Sequence, residues 1–297
     1  MRALITGGRG FVGGWLAEHL RAAGDEVVAI DQEVEITDPA AVLGAVAAAA
    51  PDAVYHLAAL THVGDSWDDP LRVLQVNVLG TAVVLAAARR CGPNTKVLVT
   101  SSAEVYGAVS DDALPLSEET ATAPLSPYAA SKLAAEAVCA QAHAGHGQPV
   151  LVVRPFNHIG PGQSPNFAVA ALARRITTAL AEGRQEVPVG NLSARRDFTD
   201  VRDVVRAYRL LVERGEPGRV YNVCSGTDWS IREVADALLR QAGATLDLRA
   251  DPDLVRAVEV PVLRGDPSRL HAATGWKPEI PFEQTLADVL DRSERTG

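Results

Sequence analysis

Short runs of Val, Ile and Leu recur along the chain as "RALIT", "EVVAI", "DAVYHLA", "KVLVTS", "PVLVVRP" and "RVYNVCS". They are continuously apolar rather than alternating, the pattern of strands covered on both faces of a parallel sheet. Ala-rich stretches of helical length separate them at residues 14–23, 40–50, 78–90 and 129–142. This βαβαβ order predicts an α/β chain built on a doubly wound parallel Rossmann sheet.

The pattern changes after residue 154. A Pro/Gly loop at 155–162 leads into a helix near 167–181 and then "VGNLSARRDF". A helix at 201–214 and a strand at 219–224 return to the first pattern. The remainder, interrupted by Pro252, Pro261, Pro267, Pro278 and Pro281, reads as short elements. The reading therefore divides the chain into a dinucleotide-binding Rossmann domain (1–154 and 198–224) and a smaller α/β substrate-binding lobe (155–197 and 225–297). One stretch departs from the plan. "EVVAIDQEVEITDPAAV" leaves only about four residues between Ile30 and Glu35, whereas a parallel crossover needs a dozen or more. No helix is expected there, and the third strand is either vestigial or has lost its helix.

Composition and charge narrow the classes. A chain of 297 residues, 47% apolar and 22% charged, can bury a large core. A net charge of −9 argues against a nucleic-acid surface. No apolar run reaches the roughly 20 residues of a membrane span, and the N-terminus enters a glycine turn too early for a secretory signal. Cys91, Cys139 and Cys224 are far apart and match no zinc or disulfide framework. A cytoplasmic protein without a metal is expected. His143 and His146 read as a helix-end surface rather than a metal pair.

"ITGGRGFVG" follows the first strand and opens the first helix, with Gly7, Gly10 and Gly13 spaced three apart. Glycines there allow a tight turn and close backbone approach, and a pyrophosphate can sit on the helix N-terminus through Phe11, Val12 and Gly13. Asp31 ends the next strand, as the dinucleotide fingerprint requires. Its carboxylate suits both ribose hydroxyls and repels a 2′-phosphate, which favours NAD. Arg9 acts in the opposite sense and keeps NADP in view. Glu35 and Ile36 fall at the adenine edge, and the small residues of "HLAAL" (Leu57, Ala58, Ala59) permit close cofactor approach.

"SPYAASK" places Tyr128 and Lys132 four apart, on one helical face. A lysine charge nearby is expected to lower the phenol pKa from near 10 toward working pH, making Tyr128 a general acid or base. Ser102, at the end of "KVLVTSS", can hydrogen-bond a carbonyl oxygen.

Taken in order, "TGGRGFVG", "HLAA", "VNVLGT", "SSAEVYG", "SPYAASK", "RPFNHIGPGQ", "RRDFTDVRDVV" and "YNVCSG" span nearly the whole chain. Together they resemble the extended short-chain dehydrogenase/reductases that act on nucleotide sugars, the NAD-dependent epimerase/dehydratase family. The resemblance implies that Ser102, Tyr128 and Lys132 form a catalytic triad and that Asn77, Thr100 and Pro155 lie against the cofactor. It also implies a homodimer joined by a four-helix contact between helices near 79–90 and 129–142. The C-terminal half is similar to the GDP-mannose branch, in "FNHIGPGQSPNF", "GNLSARRDFTDVRD", "VEVP" and "TGWKPEIPFEQTL". That branch contains GDP-4-keto-6-deoxy-D-mannose reductases and GDP-mannose 4,6-dehydratases of deoxysugar biosynthesis. The shortened segment after Ile30 resembles a different relative, dTDP-4-dehydrorhamnose reductase.

A nucleotide-diphosphate sugar needs cations and amides. Arg196 and Arg256 are the expected diphosphate ligands, since a guanidinium fork suits phosphate oxygens. Asn157 should donate to the same group or to the sugar. By likeness to the guanine-nucleotide branch, Glu259 would accept from the nucleotide ribose. Asn166 and Asn191 are further candidates, Ser66 and Trp67 are candidates to shape the sugar pocket, with a buried core position the alternative for Trp67, and Arg195 and Arg264 read as solvated charges.

Glu104 decides between reactions. A 4,6-dehydratase needs a base for C5 and an acid for the leaving oxygen. Glu104 occupies the slot of the dehydratase base, but position 103 is alanine, which handles no proton. Reductase relatives keep the same glutamate. The expected reaction is thus NAD(P)H-dependent reduction of the C4 keto group of a 4-keto-6-deoxy sugar, with Glu104 a sugar-binding or vestigial carboxylate. Alternatives are a GDP-mannose 4,6-dehydratase using Glu104 as base, a C4 epimerase, and a dinucleotide-binding protein without turnover.

Overall fold

The apolar runs become the strands of one parallel sheet. The computed structural model describes residues 1–254 and 260–295. In chain order the first half contains β1 (Arg2–Thr6), α1 (Phe11–Ala22), β2 (Glu26–Ile30), α2 (Pro39–Ala49), β3 (Ala53–His56), α3 (Pro70–Leu74), α4 (Gly80–Cys91), β4 (Lys96–Thr100), α5 (Pro127–His146) and β5 (Val150–Pro155). The second contains β6 (Asn157–Ile159), α6 (Ala168–Ala181), β7 (Glu186–Val189), β8 (Arg195–Asp200), α7 (Val201–Arg214), β9 (Val220–Val223), β10 (Asp228–Ser230), α8 (Ile231–Gln241), β11 (Asp247–Ala250), β12 (Val262–Leu263), α9 (Ser268–Thr274) and α10 (Phe282–Arg295).

The six-stranded sheet runs β2-β1-β3-β4-β5-β9, with every neighbouring pair parallel. Register explains why the runs are apolar throughout. Leu4, Val54, Val97 and Val150 form one row across four strands, and Ile5, Tyr55, Leu98 and Leu151 form the next. Successive side chains point to opposite faces. The first row packs in the core under α2, α4 and α5, and the second in the core under α1 and α7. Each of these four strands must therefore be apolar at both parities.

Between β2 and α2 there is neither helix nor strand. Two tight turns close there, Val34 N to Asp31 O and Asp38 N to Glu35 O, both 2.9 Å. Asp38 then caps α2, accepting from Ala40 N at 2.8 Å. β2 is left as the sheet edge. The helix is absent as expected, and no strand stands between β2 and α2 either.

Helix α3 runs through a wide turn at Gln75–Leu79 into α4, giving 22 continuous helical residues, Pro70–Cys91, with mean hydropathy 1.7 over an 18-residue window. This corrects the expectation that no stretch has the length and composition of a span. Its buried residues, Val83, Val84, Leu85, Ala87 and Ala88 among them, belong to the core beside α2 and α5.

The remaining strands form smaller sheets. β8 pairs with β6, β10 and β12, and β7 pairs with β11. Helices α6, α8 and α10 enclose a separate core with Ile176, Val187, Leu238 and Leu286 fully buried. Phe282 stacks on Trp229 with ring centroids 4.7 Å apart. Helix α9 and Trp276 turn back to α7, where Trp276 Nε1 donates to Asp203 O at 3.0 Å.

Candidate active site

A cleft of about 1450 Å³ lies at the carboxyl ends of β1–β5 and continues along the smaller lobe. Open α/β sheets place ligands at this edge. Gly7, Gly10, Phe11, Val12 and Gly13 form one end. Gly7 has φ +71°, and a Cβ there would meet Ala58 N at 2.9 Å. At Gly13 a Cβ would fall 2.1 Å from Gly7 O, so only glycine lets α1 start this close to β1. No side chain caps α1, and its first turn holds no acidic residue. Its leading N–H groups and positive dipole end therefore remain available for an anion. That donor set, the close Gly7–Ala58 approach and the Asp31 carboxylate fit a dinucleotide pyrophosphate and ribose.

Asp31 follows β2 beside the glycine turn. Its Oδ2 accepts from Arg9 N at 2.8 Å and its Oδ1 from Gln32 N at 2.9 Å. The Arg9 guanidinium pairs with Glu33. Glu35 accepts from Thr37 Oγ1 at 2.8 Å and pairs with Arg72 at 3.4 Å, and these bonds hold its carboxyl below the usual range. Ile36 is buried and lines the cleft where α4 begins at Gly80.

The catalytic candidates meet at the middle. Ser126 caps α5 by accepting from Ala129 N at 3.1 Å, with Pro127 in the first turn, which brings Tyr128 to the cleft floor. Ser102 begins the short turn Ala103–Tyr106, its Oγ accepting from Glu104 N at 3.2 Å. Ser102, Ala103, Glu104 and Tyr128 all line the cleft. Lys132 lies one turn on, and its Nζ donates to Thr100 O at 2.8 Å.

Electrostatics correct one expectation. Burial, aided by the charge of Glu104, pushes the Tyr128 phenol up to about 12, and the Ser102 hydrogen bond offsets only part. Lys132 sits 5.9 Å from the ring centroid and does not lower it. Burial instead brings Lys132 down to about 8. Tyr128 thus stands protonated at neutral pH, with an ammonium beneath it.

Several expected residues stand behind the wall rather than in it. Asn77 is buried and ties the segment after β3 to α5: it accepts from Leu60 N (2.9 Å) and donates to Leu60 O (3.0 Å) and Ser131 Oγ (2.9 Å). Thr100 Oγ1 donates to His56 O at 3.1 Å. Ser66 is buried and donates to Val63 O at 2.6 Å, outside the cleft lining. Trp67 is 53% exposed, so it is neither core nor pocket. Beneath Ser102, Ser101 Oγ donates to Glu136, at 2.5 Å, and Glu136 is clamped by Arg154 at 2.9 and 2.7 Å.

The far half of the cleft is lined by Pro155, Asn157, Asn166, Asn191 and Arg196. Strand alternation separates two neighbours on β8. Arg196 is buried in the cleft wall and donates to Arg195 O at 2.8 Å. Arg195 turns away to Asp228 and Glu233, and Arg264 likewise pairs with Asp228 rather than being simply solvated. Asn191 accepts from Ser193 N and Oγ at 2.9 and 2.7 Å. Arg256 and Glu259 lie outside the described residues. His143, in the last turn of α5, pairs its Nδ1 with Gln148 O at 2.9 Å.

Among the lining residues not legible beforehand are His158 and Arg175. His158 stacks on Phe11, centroids 6.3 Å apart and rings within 7°, and burial lowers its pKa. Arg175 on α6 donates to Pro188 O at 3.4 Å and lines the same half. The only signal for either was a polar side chain on an otherwise inward-facing position of β6 or α6.

A family model described as GDP-mannose 4,6 dehydratase matches residues 32–289. The chain is 43% identical over 293 residues to GDP-6-deoxy-D-mannose reductase of Pseudomonas aeruginosa, covering 97% of this chain and 96% of that protein. It superposes on the structure of RMD from P. aeruginosa complexed with NADPH with TM-score 0.93, at 42% identity and full coverage of both chains. It also superposes on Thermus thermophilus UDP-glucose 4-epimerase in complex with NAD with TM-score 0.89, at 30% identity and 99% coverage of each. With its parallel Rossmann sheet and glycine turn, this chain belongs to the GDP-mannose 4,6 dehydratase family of extended short-chain dehydrogenase/reductases, nicotinamide-dependent enzymes of nucleotide sugars.

Proposed function

We propose that the protein reduces the C4 keto group of a nucleotide-linked 4-keto-6-deoxy sugar, with GDP-4-keto-6-deoxy-D-mannose as the favoured substrate. The observation that carries this reading is that Ser102, Ala103, Glu104 and Tyr128 meet in the cleft. Tyr128 holds its proton, with a pKa near 12, and Ala103 supplies no second acid. The cofactor, when bound, supplies a hydride to C4. Ser102 and Tyr128 donate hydrogen bonds to the sugar carbonyl oxygen, and Tyr128 delivers the proton as the alkoxide forms. Lys132, held by Thr100 O, keeps its charge at neutral pH and would hold the nicotinamide ribose. Glu104 accepts from sugar hydroxyls and, through its charge, keeps the phenol protonated. Arg196 holds the diphosphate with Asn157, while Asn166 and Asn191 lie along the same wall.

Two incubations test the reading: GDP-4-keto-6-deoxymannose with NADH or NADPH, and GDP-mannose with no reductant. Stoichiometric oxidation of the reduced cofactor in the first is the expected result. A 4-keto product in the second would instead make Glu104 the base of a dehydratase, the reading its place in the cleft favours next.

We further assign residues 1–154 with 198–224 to the cofactor and residues 155–197 with 225–297 to the nucleotide sugar. A homodimer through α5 and the helix that runs on from α3 into α4 is supported by exposed apolar positions, Leu71 at 72% and Leu79 at 50%, and by exposed Ala86, Ala130 and Ala137. A Leu79→Arg variant that sediments like the parent would count against it. The three thiols form no disulfide, which suits a reducing cytoplasm.

A further inference from the structure

At the ribose end of the cleft, five charged side chains crowd one turn. Asp31, Glu33 and Glu35 stand against Arg9 and Arg72, each arginine already paired with a glutamate. Glu33 is doubly engaged. Its Oε1 accepts from the backbone N of Asp31 at 2.9 Å, and its Oε2 takes the Arg9 guanidinium. Asp31 is left with no cation on its side chain in these pairs, only the two backbone donors described above. Each carboxylate oxygen has a lone pair to spare for a ribose hydroxyl.

We propose that Glu33 determines which form of the dinucleotide the enzyme prefers: as the counterion of Arg9 it biases the site toward NADH, and its removal releases Arg9 to a 2′-phosphate. The inference rests on the reading of the site as a nicotinamide-dependent reductase. A 2′-phosphate is a dianion-like acceptor that suits a guanidinium fork. In this turn it meets a net negative cluster and an arginine that must first leave its partner. The pair is exposed, 70% for Arg9 and 49% for Glu33, so the competition is mild. NADPH is therefore admitted, at a disadvantage. Asp31 disfavours the phosphate by repulsion, and Glu33 does so by occupying the cation that would answer it.

The test is equilibrium titration of the full chain with NADH and NADPH by cofactor fluorescence, and with 5′-AMP and 2′,5′-ADP by calorimetry. The proteins are the parent, Glu33→Gln, Arg9→Ala and the double variant. Glutamine keeps an oxygen for Asp31 N while losing the charge. Glu33→Gln is expected to tighten NADPH and 2′,5′-ADP by about fivefold, the scale of an exposed ion pair, and to leave NADH and 5′-AMP within about twofold. In the Arg9→Ala background the gain should vanish. Equal tightening of both cofactors, or a gain that persists without Arg9, would overturn the assignment while the reductase reading stands. Failure of the parent chain to bind either dinucleotide would overturn both.

Discussion

Glu136 and Arg154 form a buried ion pair directly beneath the turn that begins at Ser102, and removing one partner should be severe. Their side chains are 9% and 7% exposed, and both guanidinium bonds are short, at 2.9 and 2.7 Å. The carboxylate also accepts from Ser101 Oγ, and the guanidinium stacks 4.9 Å from the Tyr106 ring centroid. Glu136→Ala leaves a buried cation without a counterion, which costs about 3–5 kcal/mol. It also leaves the Ser101 hydroxyl unsatisfied, adding about 1–3 kcal/mol where no water reaches it. Replacing both partners by leucine removes the charges together, so Glu136→Leu/Arg154→Leu should lose much less than the sum of its single variants. Urea unfolding followed by circular dichroism and by tryptophan fluorescence measures this, provided the two signals coincide. A loss below about 1 kcal/mol for Glu136→Ala, or strictly additive losses in the cycle, would refute the claim that the pair acts as a buried unit.

Other outcomes follow from the same geometry. Tyr128→Phe removes the proton donor but not the ring, so kcat should fall about 10²–10⁴-fold while substrate affinity, read by calorimetry, stays nearly constant. Arg196→Ala should raise KM for the nucleotide sugar about 10–100-fold, the worth of charge-assisted bonds to phosphate, with a smaller change in kcat. Lys132 is cationic below its pKa, and burial sets that value at about 8. The kcat/KM profile should therefore decline above about pH 8 as the charge is lost, whereas Tyr128, near 12, should not titrate in that range. A flat profile up to pH 10 would mean that Lys132 keeps its proton.

Where sequence and structure differ, the cause is spatial. Strand runs, the glycine turn, Asp31, and the Tyr128–Lys132 pair are local features: one element carries each, and period or spacing is enough to read it. The departures involve partners from distant segments. Asn77 carries an amide that suits a cofactor, but Leu60 and Ser131, 17 and 54 residues away, consume its hydrogen bonds. Trp67 is an aromatic beside the pocket segment, yet it faces outward at 53% exposure. The lysine effect on Tyr128 failed because pKa depends on burial and on Glu104 from another loop.

By itself the sequence determined the parallel α/β architecture, the dinucleotide turn and the candidate tyrosine, serine and lysine at the centre. Those follow from periodicity and from residue chemistry at short range, which survive without knowing what lies nearby. The tertiary structure decided which of two adjacent arginines enters the cleft, that Tyr128 keeps its proton, that Glu136 and Arg154 underpin Ser101, and that His158 and Arg175 complete the wall. Each depends on burial and on contacts between segments far apart in the chain, where desolvation and neighbouring charge, rather than residue type, set the behaviour of a group.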